Sequence, residues 1–194
     1  MQEQARQWWN QGTQLAHQGQ QQPERFEQMI EQLSVRDPQT SVSAIWGLQQ
    51  AGPVAIPYLV DGLTHSHTKV RRNCVDIIDH GGYGADQRCI TALMPLLHDP
   101  VPHIRRAVWH TLFCERCQDE SQCEVEPVSS LDKVALLIEI GLNDPNPKLR
   151  GQLIDDLRQH ADDPRAQAAL VNLRINSTLD SLWQTTENLD YLSA

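Results

Sequence analysis

Apolar residues recur every three or four positions along this chain, and no stretch alternates apolar and polar as a half-buried strand does. The pattern predicts helices from end to end. The first, roughly 2–18, carries Ala5, Trp8, Trp9, Leu15 and Ala16 among many glutamines and ends in Gly19 and a glutamine run. Pro23 opens a second, in which Phe26, Met29, Ile30 and Leu33 share one face. From Asp37 onward the helices come in pairs. The spacing predicts 38–50 with 53–63, 66–79 with 85–97, 100–114 with 131–142, and 145–160 with 164–173. An Asp before a Pro supplies the cap and the first turn, where the missing proline N–H costs nothing. Gly52-Pro53 and the glycine-rich stretch from His80 to Gly84 supply stops. A last helix is predicted over about 178–192, capped by Ser177, with Leu179, Leu182 and Leu189 inward.

The pairs share a phrase. Leu97-His98-Asp99-Pro100-Val101-Pro102-His103-Ile104-Arg105-Arg106 returns as Leu142-Asn143-Asp144-Pro145-Asn146-Pro147-Lys148-Leu149-Arg150-Gly151. A weaker copy runs from Thr64 to Arg72. Arg71, Arg105 and Arg150 fall 34 and 45 residues apart. Self-similarity at this period predicts a solenoid of helix pairs. The fold expected is all-α: a right-handed α-solenoid of about four pairs, with capping helices at both ends. Residues 1–36 form the N-terminal cap, 37–173 the repeats and 174–194 the C-terminal cap, in one continuous domain. An insertion over 115–130 lengthens one inter-helix turn by about ten residues; such insertions map to loops on one face of a solenoid, often the binding face.

Composition narrows the function. The formal charge of −9 gives little help in binding nucleic acid or an anionic membrane. No apolar run reaches a membrane span, and the start of the chain lacks the basic and apolar regions of a secretory signal. Five cysteines cannot close a disulfide framework, which points to the cytoplasm.

At this point the residues resemble a family. The Asp-Pro-x-Pro-x-Ile/Leu-Arg phrase, with Ala55-Ile56-Pro57-Tyr58-Leu59-Val60 and Ala92-Leu93-Met94-Pro95-Leu96-Leu97 in the second helices, resembles HEAT repeats. It is similar above all to the short, phycobilisome-lyase-like HEAT repeat of bacteria. The resemblance covers about 37–173. It implies a non-catalytic scaffold that takes a protein or peptide on the concave face lined by the second helices. The alternatives it implies are a bilin-lyase-like enzyme or subunit, and a zinc- or thiol-stabilised regulatory module. The di-iron chemistry of deoxyhypusine hydroxylases needs His-Glu pairs, and none of the eight histidines here precedes a Glu. HEAT-like DNA glycosylases use a basic groove, which this acidic chain does not favour.

Three sets of residues carry candidate chemistry. Equivalent positions on stacked helices place Arg71, Arg105 and Arg150 in a row. They form either an anion-binding stripe or a structural ladder paired with recurring acids such as Asp99 and Asp144, for which the rigid guanidinium fork is suited. Arg72, Arg106 and Trp109 are the surface candidates for binding, with Trp109 either exposed as a hot spot or packed on a neighbouring repeat. His110, Cys114, Cys117 and Cys123 have spacing that could complete a tetrahedral zinc shell. The same cysteines read equally as a thiol pair or as small packing residues. His65, His67, His98 and His103 lie near the starts of adjacent repeats and could gather on one edge. Zinc is the one cofactor these residues admit. No catalytic residue set is visible, and the chain does not reveal its oligomeric state.

Overall fold

The computed structural model describes residues 2–113 and 131–173. Among these every regular element is helical and none is a strand. The chain divides into two compact units, 1–129 and 130–194. The insertion at 115–130, nearly all of it in the first unit's numbering, and the predicted helix at 178–192 lie outside the described residues.

The first unit holds α1 (Gln2–Gln21), α2 (Glu24–Gln32), α3 (Pro38–Gln50), α4 (Ile56–Gly62), α5 (Thr68–His80), α6 (Gln87–Leu93) and α7 (Pro102–Phe113). Each helix packs on the helix two places along. α1, α3, α5 and α7 follow one another in one layer, and α2, α4 and α6 in the other. Between the layers lie Phe26, Leu33, Leu48, Leu59, Ile77, Ile78, Leu93 and Ile104, all fully buried. Burial stabilises by roughly 1.5–3 kcal/mol per large aliphatic side chain, before the entropy of ordering is subtracted.

α1 approaches α3 closely because two glycines meet. A Cβ on Gly12 would lie 2.8 Å from Trp46 Cβ, and one on Gly47 would lie 3.3 Å from the Gly12 carbonyl oxygen. Gly19 was expected to stop α1. Instead the helix runs on to Gln21, and Gly19 makes room for the Phe26 ring, which a Cβ would meet at 2.5 Å. A packing need, rather than a turn, explains that glycine.

The helix starts depart from expectation in an instructive way. Asp37 caps α3, accepting the Thr40 N–H at 2.8 Å, with Pro38 as the first helical residue. Asp99 and Asp144 were read as caps of the same kind, yet α7 begins at Pro102 and not Pro100. The residue before a proline is pushed out of the helical region, so Val101 cannot be helical and the helix starts at the second proline. The Asp99 carboxylate instead accepts the Val101 N–H at 2.8 Å and pins a tight turn ahead of the helix. Prolines also divide the second helices. The stretch predicted as 53–63 is a 3-10 turn at Gly52–Ala55 followed by α4, and 85–97 is α6 followed by a 3-10 turn at Met94–His98.

The second unit holds α8 (Lys133–Glu139), α9 (Pro147–Gln159) and helical residues 164–173. Asp132 caps α8 through the Ala135 N–H at 3.0 Å. Asp144 repeats the Asp99 arrangement, accepting the Asn146 N–H at 2.8 Å, and α9 again begins at the second proline, Pro147. Leu137, Leu149, Leu153, Leu157 and Ala166 are buried, and Gly141 sits against Leu153.

Candidate functional site

The three ladder arginines make the same hydrogen bond. Arg71 Nη1 donates to the His65 carbonyl at 2.9 Å, Arg105 Nη1 to the Asp99 carbonyl at 2.7 Å, and Arg150 Nη1 to the Asp144 carbonyl. In each case the acceptor lies six residues back, on the turn that precedes the arginine's own helix. Arg71 also donates to the Ser66 carbonyl at 3.0 Å. Its other edge grips the next phrase: Nε donates to Asp99 Oδ2 at 2.8 Å and Nη2 to Oδ1 at 3.2 Å. Both side chains are close to buried, at 13 % and 4 % exposure. Four of the five guanidinium N–H donors are thus used within the fold, and at Arg71 the geometry is that of a structural clasp.

The surface candidates separate. Arg72 lies on α5 with Nη1 2.9 Å from Asp76 Oδ1, four residues on. Burial raises the Asp76 carboxyl above its ordinary range, against the opposing pull of the Arg72 charge. Arg106 is exposed at the equivalent place on α7. Both belong to the first-helix layer, not to the second helices. Of the two readings of Trp109 the buried one holds: it is only 5 % exposed, with its ring 5.3 Å from that of Phe113. Its counterpart 34 residues earlier, Val75, is also fully buried. The apolar stripe on these helices is therefore wider than a strict three-four spacing suggests.

The aromatic pair that does reach solvent lies elsewhere. Trp9 is 49 % exposed and meets Trp46 edge to face at 5.3 Å. Trp46 itself is half-buried.

Of the zinc set, His110 is described, and its Nε2 lies 3.5 Å from Asp79 Oδ2. The same oxygen lies 3.7 Å from His80 Nδ1. Cys114, Cys117 and Cys123 lie outside the described residues. Among the described residues no three His, Cys, Asp or Glu side chains are placed to hold a metal ion. Cys74 and Cys89 are buried free thiols. Burial raises Cys74 far above the ordinary thiol range and pushes Cys89 up to about 12. Both stay protonated and act as small packing residues.

The histidines at the start of α5 have a role that spacing did not reveal. His65 Nδ1 accepts the His67 N–H at 3.0 Å, and His67 Nδ1 accepts the Lys69 N–H at 3.2 Å. His65 stands where the later phrases have Asp99 and Asp144, and its ring does their work. The signal was present in the alignment of the phrases themselves. His98 and His103 are exposed.

No protein-family model matches the chain, and no curated protein matches it significantly.

Proposed function

We propose that this protein is a non-catalytic binding scaffold: a right-handed solenoid of about four HEAT-like helix pairs that takes a protein or peptide on the face lined by its second helices. The observation that carries this reading is one hydrogen bond made three times over, each arginine reaching the carbonyl six residues back. The alternating packing of α1 to α7 in two layers supports it. A chain built by repetition offers a long, regular surface, and recognition is the task such a surface suits. Among the described residues no helix is long and apolar enough to cross a membrane. A cytoplasmic location and a proteinaceous partner belong to the same reading.

The test is selection of a peptide ligand from a random library, followed by variants on each layer. On the second helices Asp61 and Thr91 are exposed. Loss of binding in the D61R/T91R variant, with binding kept in R72E/R106E, supports the second-helix face. The converse moves the site to the first-helix layer and overturns the face proposed. Turnover of a substrate by the pure protein overturns the non-catalytic reading.

A further inference from the structure

The turn that opens α5 differs from its counterparts in one chemical respect. Ahead of α7 the acceptor is the Asp99 carboxylate; ahead of α9 the acceptors are the Asp144 carboxylate and the Asn146 amide oxygen, which takes the Leu149 N–H at 3.0 Å. Such groups remain acceptors until the pH falls well below neutral. Ahead of α5 both acceptors are imidazoles, and each accepts through Nδ1. A ring nitrogen that accepts an N–H carries no proton of its own, so this arrangement exists only for neutral His65 and His67 with the proton on Nε2.

We propose that the start of α5 is a proton-sensitive joint: protonation of His65 and His67 releases the turn and, with it, the hold of Arg71 on Asp99. Protonation at Nδ1 turns each acceptor into a donor and leaves the His67 and Lys69 N–H groups without their partners. It also places positive charge at the N-terminal end of α5, where the helix dipole disfavours it. The Arg71 guanidinium, bonded to the His65 and Ser66 carbonyls, adds a second cation beside the turn. From the helices packed against α5 (α2, α3, α4 and α7), Glu31 of α2 is the described group within ion-pair distance, its Oε1 3.4 Å from His65 Nε2. It favours the proton, but it is 72 % exposed and screened by solvent. Lys69 donates its ammonium to the Val35 carbonyl at 2.7 Å.

The coupling follows from connectivity. Arg71 holds the His65–Ser66 turn by one edge and Asp99 by the other, so a turn that moves takes the clasp between α5 and α7 with it. Acid therefore loosens one link of the array while the Asp99 and Asp144 turns, built on carboxylates, stay closed. This is the form a pH-sensitive element takes: a local charge change acting on a two-state contact.

The test uses the full chain and NMR at pH 7.5 and 5.5. At the higher pH the ring nitrogens of His65 and His67 should report the Nε2–H tautomer. Protection of the His67 and Lys69 amides against hydrogen exchange should fall about tenfold at the lower pH, the size of one lost hydrogen bond. In H65D/H67N, which carries the Asp and Asn found at the equivalent turn ahead of α9 (Asp144 and Asn146), protection should hold across the range. His80 and His110 beside Asp79 are common to both proteins and cancel in the comparison. An Nδ1–H tautomer at pH 7.5, or equal loss of protection in both proteins, overturns the proposal. The outcome does not depend on the partner the protein binds.

Discussion

Two arginine clamps of similar geometry sit in opposite surroundings. In the first unit Arg71 forks onto Asp99 with both side chains close to buried. In the second unit Arg165 forks onto Asp132 and also bonds Asp163, but Arg165 and Asp132 are about half exposed, at 52 % and 50 %. The hydrogen-bond inventory is as rich at the second as at the first. What differs is water. Where it is excluded, each unmet donor is costly and the clasp fixes the position of two turns. Where water competes, the same bonds replace nearly equivalent ones and contribute little. Counting contacts would rank the two alike; burial separates them.

The sharpest way to break the comparison is Asp99→Ala. It leaves the Arg71 fork buried without its carboxylate and should cost about 3–5 kcal/mol, read from urea unfolding. Trp109→Ala, also in the first unit, should cost about 3–5 kcal/mol by leaving a cavity, whereas a surface tryptophan would change stability by less than about 0.5 kcal/mol. Arg71→Lys keeps the charge but loses the planar fork; the expected loss is about 1.5–3 kcal/mol, accompanied by faster exchange of the Val101 amide. Arg165→Ala should produce the smallest change in the unfolding midpoint. Its signature lies in acid instead. Hydrogen bonding by Arg165 lowers the Asp163 carboxyl to about 2 and lowers Asp132 as well. A depressed carboxyl stabilises the fold above its unfolded value near 4 and loses that contribution as the pH drops towards 2. Carboxyl NMR titration should find Asp163 raised towards the ordinary range in the variant, with the backbone N–H of residue 165 still holding it below. An unchanged titration would show that Arg165 is not its cause.

The helical character of the chain and the start of α3 at Pro38 were legible because apolar period and the Asp-Pro cap are local signals. The double proline is legible too, but a cap signal alone favours the first of the two prolines. Only the restriction on the residue ahead of each proline places the α7 start at Pro102 rather than Pro100. Gly19 looked like a stop because sequence cannot show the Phe26 ring against it. Trp109 stood open between a buried and an exposed place for a related reason. A helical wheel gives the direction of a side chain but not how much of the circumference neighbours cover, and α7 is covered broadly enough to bury it. The exchange of Asp for His at position 65 was visible in the repeated phrase. Its meaning needed the hydrogen bond to His67, which no count of histidines supplies.

The 34 residues between Arg71 and Arg105 also say how such a gene can change length. Excising the codons for residues 67–100 joins Ser66 to Val101, and Arg105 then lies six residues after His65. The arginine still finds its carbonyl, and the helix that follows still presents its apolar side to the opposite layer. A cut one residue longer or shorter turns that helix by about 100° and points its apolar side elsewhere. Duplication obeys the same arithmetic. The clasp is thus a reading frame written in three dimensions: inter-helix loops can lengthen, as over 115–130, but the six residues from carbonyl to arginine cannot change.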